Sequence, residues 1–234
     1  MSGRFGGKVV LVAGGTGGLG RAVSLAFLGE GAEVVVTYRS EEEWAALQGP
    51  ERLAGIHADV TDETAAADLV GGIVARFGRI DALVNTVGGF AGGKPLWETD
   101  ARVLEQMLSL NLRAGFVLGR AAVKAMLAQR SGAIVNIASR SALEHEAGLG
   151  AYSASKAAAL ALMDSLAADV KGRGVRVNSV LPGIIDTEAN RRAMPGADFA
   201  KWPKPEEIAE VILFLCSEQA AVIHGAAIPV YGNR

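Results

Sequence analysis

The chain has 234 residues and a net charge of −2; 50% of its residues are hydrophobic and 21% are charged. This length can bury a large core within one domain, the charge balance argues against a nucleic-acid partner, and the single cysteine excludes an intrachain disulfide or a cysteine metal cluster. No signal peptide opens the chain and no apolar run reaches the ~18 residues of a membrane span, so we expect a cytoplasmic protein without membrane contact.

Strand and helix patterns alternate along the whole chain, which is typical of a parallel sheet with helices on both faces. The predicted strands are an apolar run from Val9, then Glu33 to Tyr38, Ala54 to Ala58, Asp81 to Asn85, Ala133 to Ala138, Val175 to Leu181 and Ala227 to Val230. The predicted helices are Arg21 to Glu30, Glu41 to Leu47, Asp62 to Phe77, Asp100 to Gln129, Ala151 to Lys171 and Glu206 to Ser217. Gly183 to Pro205 is expected to be irregular. The pattern predicts the α/β class, with a single-domain, Rossmann-type doubly wound parallel sheet of about seven strands.

Helix ends carry residues that favour a stop or a cap. Gly31 and Gly78 follow the first and third helices, Gly49-Pro50 follows the second, and Thr61 precedes the third. We expect one domain over residues 1–234, with its cofactor-binding part up to about residue 135 and its catalytic part from about 136.

A glycine cluster joins the first strand to the first helix. Gly14, Gly18 and Gly20 stand as G-x-x-x-G-x-G, with Thr16, Gly17 and Leu19 between them. Glycines let a backbone approach phosphates closely, and the first N–H groups of the next helix point at the anion. The order of strand, glycine turn and helix therefore predicts a dinucleotide pyrophosphate site, the alternative being an ordinary β–α turn.

The spacing of these glycines resembles the short-chain dehydrogenase/reductase family, whose turn reads T-G-x-x-x-G-[IL]-G. Ala13 stands where the family has threonine, so one hydroxyl contact near the turn is missing. The resemblance implies an NAD(P)-dependent oxidoreductase.

The end of the second strand bears on the choice of cofactor. An acidic residue there accepts hydrogen bonds from the ribose 2′-OH, but this chain has Tyr38 followed by Arg39 and Ser40. An arginine pairs with phosphate oxygens, so we predict NADP as the cofactor, with NAD possible. Glu41, Glu42 and Glu43 lie nearby and can offset the arginine. The alternative is that Arg39 is a solvated loop residue.

Two further segments match family positions on the cofactor side. Asp59-Val60 resembles the pair that contacts the adenine, although Asp59 can equally cap the next helix. Asn85-Thr86-Val87-Gly88 stands where the family has N-N-A-G. Because ligands bind outside the carboxyl ends of strands where the strand order switches, Gly14 and Asn85 are expected to line one crevice, with Gly88 beside them.

Ser139, Tyr152 and Lys156 form the strongest constellation. Tyr152 and Lys156 are four residues apart in one helix and share a face, and Ser139 closes the fifth strand. An ammonium beside a phenol favours the phenolate, which lowers the tyrosine pKa toward the acid–base range. In the family these three residues carry the reaction, and the resemblance now covers the whole chain.

The resemblance supplies two more positions. Asn111 matches the asparagine that distorts the long helix and supports a water linking the lysine to solvent. Pro182-Gly183-Ile184-Ile185-Asp186-Thr187 matches P-G-x-x-x-T, in which the backbone of Ile185 holds the nicotinamide carboxamide and Thr187 holds the carboxamide or pyrophosphate. A plain strand terminator explains Pro182 and Gly183 equally well.

The predicted function is hydride transfer between a nicotinamide and a small-molecule carbonyl or alcohol, of the 3-oxoacyl-[acyl-carrier-protein] reductase type, with no metal. The alternatives are a dihydropteridine-reductase-like or quinone reductase, and a regulator that senses dinucleotides without turnover. The family implies a homodimer or homotetramer, and the alanine-rich helix after Tyr152 permits close helix packing.

Substrate choice is assigned to Gly88–Glu98, Arg140–Gly150 and Ile184–Trp202, whose large residues include Phe90, Trp97, Phe199 and Trp202. His57 and Cys216 are expected in the core, and His145 in a solvated loop.

Overall fold

The computed structural model describes residues 3–47, 49 and 51–232. Pro50, expected to follow the second helix, lies outside them. The strands are β1 (Val9–Ala13), β2 (Glu33–Tyr38), β3 (Leu53–His57), β4 (Ala82–Asn85), β5 (Gly132–Ile137), β6 (Val175–Pro182) and β7 (Ala227–Val230). The α-helices of the described chain are α1 (Gly18–Gly29), α2 (Glu41–Leu47), α3 (Glu63–Phe77), α4 (Ala101–Leu108), α5 (Ala114–Gln129), α6 (Gly150–Val170), α7 (Glu188–Ala193) and α8 (Pro205–Cys216).

All seven strands lie parallel in one sheet, in the order β3-β2-β1-β4-β5-β6-β7. The predicted fold class is confirmed. The order reverses between β1 and β4, which are neighbours with Ala13 opposite Asn85. The carboxyl ends of these two strands therefore flank the crevice that binds ligands in open parallel sheets.

Both faces of the sheet are covered by helices, which is why the central strands are apolar over most of their length rather than alternating. Every residue of β1 is buried. On one face Leu11, Leu83 and Ile134 pack beneath α3, α5 and α6. On the other face Val10 and Val12 pack with Phe27 of α1 and Ile212 of α8. Each such side chain stabilises the fold by about 1.5–3 kcal/mol, and together they fix the strand ends that carry the site.

Several local predictions are corrected. Asp62, not Thr61, caps α3, because its carboxylate accepts from Ala65 N while the Thr61 hydroxyl donates to Asp59. The segment expected to be irregular contains α7, which Thr187 caps. The long helix expected from Asp100 to Gln129 is two α-helices joined by a π-helical turn over Ser109–Arg113.

His57 and Cys216 also differ from expectation. His57 is exposed at the sheet edge and packs edge-on against Tyr38, because β3 is the outermost strand. Cys216 is only partly buried, although it packs against the core, and burial raises the pKa of its thiol to about 12. His145 is exposed, as predicted.

Within the described residues, none of the helices combines the length and apolarity that crossing a bilayer requires.

Candidate active site

The glycine turn after β1 is shaped by close approaches that exclude side chains. Gly14 has φ +72°, a conformation that L-residues rarely adopt. A Cβ on Gly20 would meet the carbonyl oxygen of Gly14, and one on Gly18 would lie 2.8 Å from Thr187 Cγ2. The backbone therefore folds tightly enough to leave the amino end of α1 open to a ligand.

Two threonines that the motif did not identify hold this turn in place. Gly14 N donates to Thr37 Oγ1 at 2.9 Å. Thr86 Oγ1 donates to Ala13 O at 2.7 Å and approaches Gly14 O at 3.1 Å. Thr37 belongs to β2 and Thr86 follows β4, so both strands that neighbour β1 anchor the turn. They can be identified only from the order of the strands, because the sequence alone does not show which strands lie beside β1.

The first turn of α1 offers backbone donors. Gly17 caps the helix with extended backbone and no side-chain hydrogen bond, so it competes for none of the amides there. Leu19 is buried in the core and can offer a ligand only its backbone. The dipole and amides of this helix end suit a phosphate.

Of the residues predicted to bind the adenosine half of the cofactor, some are free to face the crevice and others take part in local structure. Arg39 is exposed beyond β2, and Ser40 Oγ accepts from Glu43 N at 3.2 Å, which caps α2. Asp59 accepts from Thr61 N and Thr61 Oγ1, and those bonds lower the pKa of its carboxyl, as does the Arg39 cation more weakly. Val60 is buried beneath α3.

The Ser139, Tyr152 and Lys156 side chains meet at the carboxyl end of β5. Ser139 and Lys156 are buried, and Tyr152 is half-buried between them and solvent. Lys156 Nζ donates to Ile137 O at 2.9 Å. Ser139 forms a side-chain hydrogen bond with Tyr152 and also accepts from Ser141 N at 3.1 Å. The structure thus brings together the three residues that the motif combined.

The electrostatics differ from the sequence-based expectation. Burial raises the pKa of Tyr152 above its usual value, and the hydrogen bond with Ser139 opposes this shift only in part. Burial also lowers the pKa of Lys156 to about 8. The expected depression of the tyrosine pKa by the lysine is therefore absent: burial and Ser139 account for the shift on Tyr152, and the Lys156 ammonium donates to Ile137 O.

Asn111 links the distorted helix to the crevice. It lies in the π-helical turn, as predicted for an asparagine that distorts the helix, and is buried. Its amide accepts from Gly89 N at 2.9 Å and donates to Gly89 O at 3.1 Å and Ser155 Oγ at 2.9 Å. A Cβ on Gly88 would lie 2.9 Å from Asn111 Oδ1 and 3.2 Å from Lys156 Nζ. Gly88 therefore lets the loop after β4 lie directly against Lys156.

Asn85 does not face the crevice as expected. Its side chain is buried, donates to Asn136 Oδ1 at 2.8 Å and accepts from Val87 N at 3.2 Å. Asn136 is its register partner on β5, so this pair ties the two strand ends together beneath α5. The amide holds the crevice wall and is not part of its surface.

The segment after β6 folds back over the glycine turn. Pro182 ends β6, and Gly183 begins the departure. Ile185 O accepts from Thr187 N and Asn190 Nδ2, both at 2.8 Å, so the carbonyl of the backbone expected to hold a carboxamide is already engaged. Thr187 caps α7 through its hydroxyl and lays its methyl on Gly18.

The predicted substrate side is lined unevenly by its large residues. The Phe90 ring packs edge-on against Tyr152 with ring centroids 5.0 Å apart, while Phe90 stays 67% exposed. Gly93 N donates to Gly148 O at 3.0 Å, which joins the loop after β4 to the loop before Tyr152. Trp97 lies in solvent, and Trp202 is buried beside Phe199.

A cavity of about 690 Å³ opens at the opposite edge of the sheet, lined in part by Lys8, Asp81 and Arg176. Its charged groups are engaged in contacts within the protein, such as Lys8 with Asp81 and Arg176 with Leu215 O. It lies away from Tyr152 and takes no part in the site.

The glycine turn after β1 and the cluster of Ser139, Tyr152 and Lys156 lie at the same edge of the sheet, which is the arrangement of a dinucleotide-binding oxidoreductase. The model for the family described as short chain dehydrogenase matches residues 8–197. The chain belongs to the short-chain dehydrogenase/reductase family, whose members use NAD(P).

Curated relatives match along almost the whole chain. The 3-oxoacyl-[acyl-carrier-protein] reductase FabG of Thermotoga maritima is 33% identical and the match covers 98% of each chain. The D-threitol dehydrogenase of Mycolicibacterium smegmatis is 35% identical, covering 98% of this chain and 94% of the relative. Among solved structures, NAD+-bound xylitol dehydrogenase superposes with a TM-score of 0.90 at 26% identity, covering 98% of this chain and 99% of the other. ElxO with NADP bound gives 0.89 at 29% identity, covering 96% and 97%.

Proposed function

We propose that the protein transfers hydride between NADP(H) and a small-molecule carbonyl or alcohol, with Tyr152 as the general acid and base. The observation that carries this proposal is the meeting of Ser139, Tyr152 and Lys156 beside Gly88, at the sheet edge that also bears the glycine turn.

The residues of the crevice fit a dinucleotide. The turn from Gly14 to Gly20 forms a tight backbone loop that added Cβ atoms would disrupt. The amides at the start of α1, which no side chain caps, suit the pyrophosphate. Gly88, Gly183, Ile185 and Thr187 are the residues we assign to the nicotinamide half. When bound, the nicotinamide supplies or accepts the hydride.

The side chains handle the proton. With its pKa raised by burial, the Tyr152 phenol is protonated at neutral pH and is ready to donate to a carbonyl oxygen. Ser139, hydrogen-bonded to Tyr152, orients that oxygen as a second donor. Lys156, buried against the loop that carries Gly88, is the residue that we assign to the cofactor ribose. Asn111 fixes the loop against Lys156 through Gly89, and we assign to it the proton path between the lysine and solvent.

The substrate is inferred to be small, with an apolar part that contacts Phe90. The Phe90 ring lies beside Tyr152, and its exposed part offers an apolar surface to any bound molecule. By their names, the 3-oxoacyl-[acyl-carrier-protein] reductase and the D-threitol dehydrogenase act on different substrates. Membership of the family therefore does not assign a substrate to this chain.

Removing the phenol tests the chemistry. Tyr152→Phe keeps the ring contact with Phe90 but removes the proton donor, and we expect kcat for ketone reduction with NADPH to fall by at least about a hundredfold. Binding of NADP+ measured by calorimetry should stay within about threefold of wild type. Near-wild-type turnover by this variant contradicts the mechanism. A wild-type protein that binds cofactor but reduces none of a panel of ketones, quinones and pterins is instead a sensor.

The preference for NADP(H) rests on Arg39. Its guanidinium is exposed beyond β2, where a 2′-phosphate gains charge-assisted hydrogen bonds. Such bonds contribute about 1.5–3 kcal/mol each before desolvation, which favours NADP(H) by about tenfold to a hundredfold. Arg39→Ala should lower the ratio of kcat/KM for NADPH to that for NADH by this factor. An unchanged ratio, or a wild-type preference for NADH, makes Arg39 a plain surface residue.

A further inference from the structure

A carboxylate from α2 reaches the glycine turn. Thr16 Oγ1 donates to Glu43 Oε2 at 2.9 Å, and the Thr16 side chain is itself buried. Thr16 lies in the turn after β1, while Glu43 lies in the first turn of the helix after β2. The bond therefore spans the gap between these two elements, which is where the adenosine ribose of a dinucleotide lies in this fold.

The position of Glu43 is fixed by its surroundings. Ser40 Oγ accepts from Glu43 N at 3.2 Å, which anchors the start of α2. One residue further on, Trp44 stacks on Tyr38 with ring centroids 5.4 Å apart and an interplanar angle of 8°. The same indole lies over Gly55, where a Cβ would be 2.6 Å from the ring. These contacts dock α2 on β2 and β3, so the carboxylate of Glu43 is held at the turn.

The charged side chains near Glu43 differ in sign and in what they contact. Arg39 is exposed, and its cation acts on Asp59 at the end of β3. Glu41 hydrogen-bonds Tyr38. Glu43 is thus the carboxylate of the α2 first turn that contacts the phosphate-binding turn, and it occupies the one hydroxyl proton of Thr16.

Building on the proposed cofactor site, we propose that Glu43 is a second determinant of cofactor choice, which acts against the 2′-phosphate from the side of the glycine turn. Its carboxylate repels a phosphate dianion and withholds the Thr16 hydroxyl from it. The same carboxylate is an acceptor for an unphosphorylated ribose hydroxyl. Arg39 and Glu43 therefore pull the selectivity in opposite directions, and the chain accepts both cofactors with a moderate preference.

The adenosine halves of the two cofactors test this without catalysis. Calorimetry would compare the binding of adenosine 2′,5′-bisphosphate and of AMP to the wild-type protein and to Glu43→Gln, which keeps the shape but removes the charge. We expect the ratio of the two affinities to shift toward the bisphosphate by about tenfold in the variant. The shift should shrink between 50 mM and 500 mM salt, because exposed charges are screened.

Glu42→Gln is the matched control. Glu42 is exposed in the same helical turn and has the same charge, but it makes no contact with the glycine turn in the described structure. A ratio that moves in Glu43→Gln no more than in Glu42→Gln overturns the proposal, provided that the two variants unfold at the wild-type temperature. If Glu43→Gln unfolds early, Glu43→Asp, which retracts the carboxylate from Thr16, should give a smaller shift in the same direction, and no shift overturns the proposal.

The outcomes separate this inference from the proposed function. A wild-type protein that binds neither mononucleotide nor NADP+ overturns both. A wild type that prefers AMP contradicts the assignment of Arg39, and the shift in Glu43→Gln still decides for or against Glu43.

Discussion

Thr187 lies against Gly18, so the segment after β6 borders the glycine turn, and its place in the proposed cofactor site can be tested by adding one methyl group. In Gly18→Ala the new Cβ would lie 2.8 Å from Thr187 Cγ2, well inside the 3.4–4 Å of an ordinary contact. Either Thr187 and its segment must withdraw, or the start of α1 must move. Overpacking of this kind costs about 1–3 kcal/mol, which is roughly 5-fold to 150-fold in Kd if the strain falls on the binding site.

The assay is calorimetric titration with NADP+, combined with thermal unfolding of the same samples. Gly17→Ala is the control, because a Cβ there meets only Gly14 O, at 3.6 Å, and its φ of −70° suits alanine. Thr187→Ser removes the obstructing methyl and keeps the hydroxyl that caps α7. The double variant Gly18→Ala/Thr187→Ser should therefore recover part of the lost affinity. The reasoning fails if Gly18→Ala binds as Gly17→Ala does, or if the serine gives no recovery.

Two further predictions follow from the site and from the surface of α6. Because burial lowers the pKa of Lys156 to about 8, its charge is lost as the pH rises through that value, and kcat/KM for reduction should fall above about pH 8; a flat profile to pH 9.5 contradicts this. Over the same range the contribution of Lys156 to stability rises with pH, since its unfolded-state pKa is higher, so thermal unfolding should show no matching loss from this group. Ala161 and Ala168 are exposed on the outer face of α6, where they permit close helix packing, while Ala159 and Ala167 are buried. Light scattering should therefore report a dimer or tetramer, and a monomer at working concentration contradicts the assembly.

The sequence was sufficient for features that depend on local patterns. Apolar strands with helices between them predicted the parallel sheet, because a strand covered on both faces must be apolar throughout. The four-residue spacing of Tyr152 and Lys156 predicted a shared helix face for the same reason of geometry. The distortion of the long helix at Asn111 was implied by the family resemblance, although the division into two α-helices was not predicted, and here Asn111 bonds to Gly89.

Features that depend on tertiary neighbours could not be predicted. Asn85 follows a strand whose end borders the crevice, and nothing in its segment indicates that Asn136, 51 residues away, takes its amide into the interior. The prediction for the pKa of Tyr152 was wrong for a similar reason. Proximity to Lys156 along the helix predicted a lowered value, but desolvation depends on the whole packed surroundings, and here it outweighs the opposing effect of Ser139.

Two of the departures from the family motifs near β1, at Ala13 and Thr86, are best understood together. Ala13 lacks the threonine hydroxyl of the family turn, and Thr86 replaces an asparagine after β4. Read separately, each is a lost contact. In the fold the two positions face each other, because β1 and β4 are neighbours, and the Thr86 hydroxyl donates to the carbonyl of Ala13 itself. A hydroxyl absent on one strand is supplied by the other, and the turn remains joined to the loop that carries Gly88. Substitutions in this crevice therefore have to be judged by strand pairs, since a residue that weakens a motif in the sequence can restore a contact across the sheet.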